Sequence, residues 1–515
     1  MDLPVLPFKT LDPGAIALHV SCIAYARYTA ITTCKSTVTY SEDPLLNISA
    51  TAAAEMIRQG RLKSATLVEA YLNRIKEVNP MINAVTELFE EEALQMAKEV
   101  DEFIENSDEE DVKMMRQEKP LLGIPVSIKH VFDLKGRRNV CGLHHLREAS
   151  LAQANATAVN RVLKAGAIPI CYTNVSPGCM SFETDNVVFG RTPSPHDSRT
   201  ISGGSSGGEA SLICSQGSLI GVGTDLGGSI RLPSILCGIY GLKPRESCSL
   251  NGVLPKVDLG DDSHGMYVTG PMVRYAEDLM LLQSVLAPTS IPLPISKPRP
   301  ARLFISKPEV APLITLSKTV KVITDDVANY LSKSYSLPIE RFDLIKTLQE
   351  YFIIFKELLT ENFDVAQHLA PNENVNVATE FIKLMSGSSC QSFGLLMSFY
   401  AAGRPSPQGT LEESKRQIQI LRSRIHQQLE DGAVLVFPGL PETNYYHYSF
   451  GALPCFYTSL FNILAVPVLA VPCGKDKNGY PMSVQLVGGI GSENLLCSVA
   501  QQMEDRFGGW VKPGV

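Results

Sequence analysis

The sequence has no cysteine pair spaced C-x-x-C and no H-E-x-x-H. Their absence removes the commonest frames for a structural or catalytic zinc. The adjacent His144 and His145 do not replace them, because neighbours in a helix or strand point in different directions. The 12 cysteines are scattered, many in apolar surroundings such as AIPICYTN around Cys171 and VLAVPCG around Cys473. That pattern reads as buried free thiols in a reducing compartment, not as the disulfide frame of a secreted domain. A basic balance is missing too. With a formal net charge of −7 there is no positive field to release counterions, which excludes a nucleic-acid partner. The acidic run EEDV at Glu109 reads as a solvated loop. A mildly apolar stretch over 14–32 is broken by His19 and Arg27, and Asp2 stands where a secretory signal carries positive charge. A charge near its centre makes a spanning helix expensive. Residues 1–45 therefore read as an extension with at most peripheral membrane contact. The protein reads as cytoplasmic or associated with an intracellular membrane, and not secreted.

What is present is ample core material: 515 residues, 44% apolar and 19% charged. Residues 46–515 read as one body. In SATLVEAYLNRIKEV, Thr66-x-x-Glu69 has the capping-box pattern, and Leu67, Tyr71, Ile75 and Val78 follow at helical spacing. A second helix is predicted over 90–104. Then come an apolar strand in LLGIPVSIKHVFD, a helix in ANATAVNRVLKAGA and a strand in IPICYTN, which ends in turn chemistry at Pro177-Gly178. This alternation predicts a layered α/β core. Prolines cluster over 288–312, and the stretch at about 290–432 reads as an embedded, helix-rich lobe without a nameable motif. GAVLVFPG and ILAVPVLAVPCG read as buried strands. SENLLCSVAQQMEDRFGG reads as a closing helix that stops at Gly508.

The chemistry concentrates in SGGSSGGEASLICSQGSLIGVGTDLGGSIR, residues 202–231. A flexible linker is the ordinary reading of glycine and serine, but EASLICS and LIGVGTD inside it look like a buried helix and strand. A second reading is the nucleophile elbow, since both Ser205 and Ser206 sit in G-x-S-x-G windows. That elbow needs a strand running into the turn and a histidine following in a triad. SPHDSRTI shows no clear apolar strand, and His264, His368, His426 and His447 stand in no suggestive local setting. A third reading favours Ser229. In TDLGGSIRLPS the glycines let the chain curl, so that N–H groups of Leu226, Gly227, Gly228 and Ser229 can converge on a developing oxyanion. A purely structural turn is equally compatible with that segment alone. A serine hydroxyl also needs a base, and no histidine lies in the segment. In GIPVSIK, strand alternation puts Ser127 and Lys129 on one face in an apolar context. The common reading is a strand-end lysine reaching water. The functional one is a desolvated lysine, which releases its proton more readily and can then act as a base.

Taken together, GIPVSIK (123–129), GGSSGGEA (203–210) and GTDLGGSIRLPS (223–234) resemble the amidase signature family, in order and in spacing. Ser205 and Ser229 lie 24 positions apart, and Lys129 lies 76 before Ser205. YGLKPR (240–245) and MSVQLVGG (482–489) fit as well. NPMINAV, GPMVRYAEDL and the ending FGGWVKPG are most similar to fatty-acid amide hydrolases of the second type within that family. The resemblance covers roughly 46–510 and is weakest in the middle lobe.

The resemblance implies a three-layer α/β/α amidase signature fold with a large mixed central β-sheet. It implies a Ser–cis-Ser–Lys triad in which Ser229 is the acyl-forming nucleophile, Ser205 a bridging serine preceding a cis peptide, and Lys129 the base. Leu226, Gly227 and Gly228 would supply oxyanion donors with Ser229, and the Cys179 backbone would lie near the substrate. Ser206, Asp225 and Arg231 would brace the loop. The expected substrate is a small-molecule carboxamide, a fatty-acid amide first, with no cofactor and no metal. Small non-lipid amides, glutamine-type amidotransfer and an inactive scaffold are the rivals. A homodimer is compatible with the sequence but not legible in it. Members of this type often carry an N-terminal membrane-spanning helix, from which residues 1–45 depart. The lead-in Ile201-Ser202-Gly203 also departs from the usual one.

Overall fold

A computed structural model describes residues 26–256, 265–287, 297–308, 315–342, 410–449 and 456–515, and scattered positions between 365 and 396. The described strands are β1 Val85–Leu88, β2 Pro125–Lys129, β3 Ile168–Thr173, β4 Asp185–Asn186, β5 Gly190–Arg191, β6 Pro193–Ser194, β7 Asp197–Ile201, β8 Ile220–Asp225, β9 Tyr240–Lys243, β10 Val268–Val273, β11 Arg302–Ile305, β12 Ile339–Arg341, β13 Ala433–Pro438, β14 Val468–Lys475 and β15 Pro481–Gly488. Eleven of them form one sheet in the order β1-β3-β2-β8-β10-β9-β14-β15-β13-β11-β12. The pairs β2–β3, β2–β8, β11–β12 and β11–β13 are parallel and the others antiparallel, so the sheet is mixed.

Strand alternation shows why the sheet is covered on both faces. Val434 and Val436 of β13 and Leu469 and Val471 of β14 enter one core, with Leu495, Leu496 and Val499 of the helix Glu493–Phe507. Ala433, Leu435 and Phe437, with Val468 and Ala470, enter a second core against Ile418, Leu421, Phe456 and Leu460. Successive residues of one strand thus serve opposite layers, the period-2 signature of a sheet buried between helices.

The helix Ser64–Ile82 buries Leu67, Tyr71, Ile75 and Val78, as the spacing predicts. Its start differs from the capping-box reading. The chain turns helical at Ser64, and Lys63 at the N-cap offers no side-chain acceptor. The free N–H groups of Ser64 and Ala65 donate instead to the carboxylate of Asp101, at 2.6 and 3.0 Å. A carboxylate at a helix N-terminus meets both the orphan donors and the dipole, and tertiary packing supplies it here from the helix Glu90–Glu105. EEDV is likewise not a loop. It opens the helix Glu109–Glu118, and the capping box there is Asp108 with Asp111. In ILAVPVLAVPCG only the second half is strand, because the helix Phe456–Ile463 runs into its first residue and Ala465 turns the chain at φ 51°.

The 290–432 stretch contributes β11 and β12 to the sheet edge and packs the helix Lys318–Tyr335 on its strands. Much of the rest of the proposed lobe lies outside the described residues, as do residues 1–25. Among the described residues no helix is long and apolar enough to cross a membrane. Chain from position 36 onward already binds the body. Ser36 N–H donates to Ser198 Oγ at 2.9 Å and Val38 N–H to the Pro195 carbonyl at 3.0 Å.

Candidate active site

The strands β2 and β8 run parallel, with Val126 opposite Ile220 and Ile128 opposite Val222. Their carboxyl ends therefore reach the same edge, the usual place for a site in an open α/β sheet. Lys129 ends β2 and Thr224-Asp225 end β8. The Lys129 side chain is fully buried. Its Nζ lies 2.7 Å from Ser205 Oγ and 2.8 Å from Thr224 Oγ1. It does not reach water, and among the described residues it has no carboxylate in ion-pair distance.

Ser205 sits on the turn between β7 and the helix Gly207–Cys214. The Gly204–Ser205 peptide is cis, so the cis bond leads into Ser205 rather than following it. A strand does precede this turn, in the DSRTI stretch that looked unfavourable for one. It pairs with β6 in a separate two-stranded ribbon, not with the central sheet. Of the histidines an elbow would need, His426 Nε2 bonds the Leu464 carbonyl and His447 bonds Glu183 and the Ser198 carbonyl. Neither hydrogen-bonds Ser205, Ser206 or Ser229, and His264 lies outside the described residues.

Ser229 follows β8 on the second glycine loop. The Ser206 N–H donates to the Ser229 carbonyl at 3.2 Å, and this bond ties the two glycine loops together. Ser205 and Ser206 are fully buried, whereas Ser229 keeps 6% of its surface exposed. Of the three serines it is the one solvent reaches.

Asp225 shapes this loop. Its carboxylate accepts from the N–H groups of Gly228 (2.8 Å) and Ile230 (3.2 Å), from Asn462 Nδ2 (2.8 Å), and from Arg231 Nε and Nη2 (3.0 Å each). Burial opposes its ionisation, but the Arg231 guanidinium outweighs that and holds the carboxyl down at about 2. Arg231 in turn donates to the Thr458 carbonyl, Gln485 and Asn462. One expected oxyanion donor is lost to this clamp. The Gly228 N–H is engaged by Asp225, which leaves Leu226, Gly227 and Ser229, whose N–H groups have no acceptor among the described residues. Gly228 still has to be glycine. At φ 122° a side chain is strained, and a Cβ would lie 2.1 Å from Thr458 Oγ1.

Cys179 closes the turn Pro177–Cys179. Its N–H donates to the Ser176 carbonyl at 3.0 Å, and the Ser176 N–H donates to the Ser205 carbonyl at 3.3 Å. The expected segment is therefore at the site, and it also brings a thiol there. Cys179 hydrogen-bonds Cys141, Ser205 and Lys129. Sequence reading gives no sign of the Cys141 contact, because the two positions share no local pattern.

A second omission is Glu209, buried behind Lys129. Ser127 and Thr173 hydroxyls donate to it, the latter at 2.8 Å. Burial pushes its carboxyl up to about 7, against those hydrogen bonds and the attraction of Lys129. A Cβ on Gly221 would lie 2.0 Å from Glu209 Oε2, which explains the glycine in the middle of β8. The raised value has a definite sign. Between 4.5 and about 7 the folded protein holds a proton that the unfolded chain releases, so this contribution to stability is full below 4.5 and lost as pH rises through 7. Glu209→Gln keeps the shape and removes the titration. The stability of the variant relative to the parent is expected to rise by roughly 3 kcal/mol from about pH 4.5 to about pH 8. Urea unfolding at both pH values measures it; parallel behaviour of the two proteins rejects a protonated Glu209.

The family model for amidases matches residues 66–497. The chain belongs to the amidase family. This amidase is 34% identical over 494 residues to fatty-acid amide hydrolase 2-B of Danio rerio, covering 92% of each chain. It is 32% identical over 505 residues to fatty-acid amide hydrolase 2 of Homo sapiens, covering 92% of this chain and 91% of that one. At 26% identity it also matches a glutamyl-tRNA(Gln) amidotransferase from Caldanaerobacter subterraneus, over 89% of this chain and 96% of the other. Among solved structures, a fatty acid amide hydrolase aligns with TM-score 0.72 at 21% identity, over 98% of this chain and 92% of that one. A bacterial aryl acylamidase of the amidase signature family aligns with TM-score 0.73 at 18% identity, over 90% and 97%. These structural likenesses carry the expected fold, α/β with a large mixed sheet. The amidase assignment makes the chain an amide hydrolase.

Proposed function

We propose that this amidase hydrolyses fatty-acid amides through an acyl-enzyme on Ser229, with Ser205 as proton relay and Lys129 as base. The observation that carries the reading is the 2.7 Å contact between Lys129 Nζ and Ser205 Oγ in a fully buried setting, beside a loop that leaves Ser229 accessible. Neutral Lys129 takes the Ser205 hydroxyl proton as Ser205 takes that of Ser229. A hydroxyl both donates and accepts, so it can pass a proton between groups that do not touch. Ser229 Oγ then bonds the carbonyl carbon, and the oxygen takes its charge beside the N–H groups of Leu226, Gly227 and Ser229. Collapse breaks the C–N bond as the proton returns from Lys129 through Ser205 to the leaving nitrogen. Water, deprotonated by the same relay, releases the acid. The lipid substrate class is supported by the two relatives above 30% identity that are named fatty-acid amide hydrolases.

A panel of primary amides of rising acyl length tests the substrate class. Each methylene buried in an acyl channel stabilises by about 0.8 kcal/mol, roughly a fourfold gain in kcat/KM. A flat or falling series assigns the enzyme to small amides, and turnover of glutamine alone assigns it to amidotransfer. A fluorophosphonate is expected to modify the peptide bearing Ser229. Label on Ser205 or Ser206 rejects the mechanism, and no label favours a scaffold.

A further inference from the structure

We propose that Cys141 and Cys179 form a dithiol switch beside Lys129 and Ser205, which hydrogen peroxide converts to a disulfide that shuts the site. The mechanism above uses neither thiol. The two segments touch through backbone, since the Gly178 N–H donates to the Cys141 carbonyl at 2.8 Å. A Cβ on Gly142 would lie 3.3 Å from the Pro177 Cα. Both cysteines adopt left-handed backbone, at φ 47° and 60°, a region that side chains other than glycine rarely enter. The turns that hold them there also face the thiols toward each other, and the thiols are hydrogen-bonded.

The pair is chemically asymmetric. Cys179 is half-buried and Cys141 fully buried, so a small oxidant reaches Cys179 first. The hydrogen bond from Cys141 lowers the Cys179 thiol, and the Lys129 charge and the Ser205 hydroxyl lower it further, while burial opposes them. The thiolate is the nucleophilic form. By contrast burial pushes up the thiols of Cys171, Cys214, Cys237, Cys473 and Cys497. Those have no comparable neighbour to stabilise a thiolate.

The step balances with the peroxide as oxidant. The Cys179 thiolate attacks one peroxide oxygen, the O–O bond breaks, and the departing hydroxide takes up the thiol proton as water, leaving a sulfenic acid. The Cys141 thiol then attacks the Cys179 sulfur. The S–S bond forms, the S–O bond breaks, and a second water leaves with the Cys141 proton. Two thiols and one peroxide become one disulfide and two waters. The bond takes Cys179 sulfur from its contacts with Lys129 and Ser205 and pulls its turn toward Cys141. The effect on turnover rests on the proposed roles of Lys129 and Ser205; formation of the disulfide does not. In a reducing compartment such a bond is transient, which suits a sensor.

The full chain would be treated with hydrogen peroxide and digested without reductant. The expected result is a Cys141–Cys179 cross-linked peptide, at least tenfold loss of amide turnover and of fluorophosphonate labelling, and recovery of both with dithiothreitol. Cys141→Ser is expected to keep basal activity, to yield no cross-link, and to trap Cys179 as a sulfenic acid that dimedone captures. Both thiols remaining free to alkylate after peroxide would overturn the proposal, as would a cross-linked enzyme that turns over at the reduced rate. A cross-link in a protein whose reduced form cleaves no amide would remove the mechanism on Ser229 and leave the dithiol in place. The parent cross-link map stands without the variant, should Cys141→Ser fail to fold.

Discussion

Ser229→Ala is expected to lower kcat for every amide the enzyme turns over by roughly 10⁴- to 10⁶-fold, with little change in the unfolding midpoint. The hydroxyl is the proposed bond-forming atom, and its side chain keeps some exposure, so alanine opens no sealed cavity there. Lys129→Ala is expected to cost a similar factor. Lys129→Arg sharpens that test, because a guanidinium keeps the charge but cannot give up its proton. If Lys129 serves as a base, arginine is as inactive as alanine; if it serves only as a cation, arginine recovers much of the rate. Groups acting as one relay are strongly non-additive, so the Lys129→Ala, Ser229→Ala double variant is expected to be no slower than either single one. Turnover by Ser229→Ala within tenfold of the parent would reject Ser229 as nucleophile.

The second large effect concerns stability. Asp225→Asn is expected to destabilise the fold by about 3–5 kcal/mol, because it leaves the Arg231 charge buried without its counter-ion. Both side chains have no exposed surface. The same carboxylate also holds the Gly228 and Ile230 N–H groups, so the loop bearing Leu226, Gly227 and Ser229 is expected to loosen, with fluorophosphonate labelling slowed in protein that still folds. A double-mutant cycle separates the two effects. Asp225→Asn with Arg231→Met removes both charges, and its loss in urea unfolding is expected to fall well short of the sum of the single losses. Additive losses would mean that the pair is not coupled. The pH dependence has the opposite sign to that of Glu209. With its folded value held down at about 2, Asp225 contributes stability that is full above its unfolded value of 3.8 and lost as pH falls through 2. The clamp therefore persists through mild acid.

Local signals carried far in this chain. Apolar runs bounded by turns marked β2, β3, β8 and β13, because a strand buried on both faces needs continuous apolar sequence. The helix Ser64–Ile82 was legible in Leu67, Tyr71, Ile75 and Val78, whose spacing is that of one helix face. Where the reading went astray, the deciding partner lay elsewhere. The cap of that helix is Asp101, on another helix. ILAVPVLAVPCG is apolar throughout because both a buried helix end and a buried strand are apolar, and periodicity cannot divide them.

The candidate site divides the same way. Residue types and order singled out Lys129, Ser205 and Ser229 as chemically able groups, because nucleophile, relay and base are properties of side chains. Which face of β2 carries Lys129 also follows from alternation. Only the tertiary structure decided that Lys129 meets Ser205 and Thr224 with no carboxylate beside it, and that Asp225 engages the Gly228 N–H and removes it from the oxyanion donors. It likewise decided that Cys141 lies against Cys179 and that Glu209 is buried behind the lysine. Those contacts join positions brought together by parallel strands and crossing loops. A hydrogen bond between chain-distant groups leaves no period in the sequence, so only the packed sheet can show where each donor is spent.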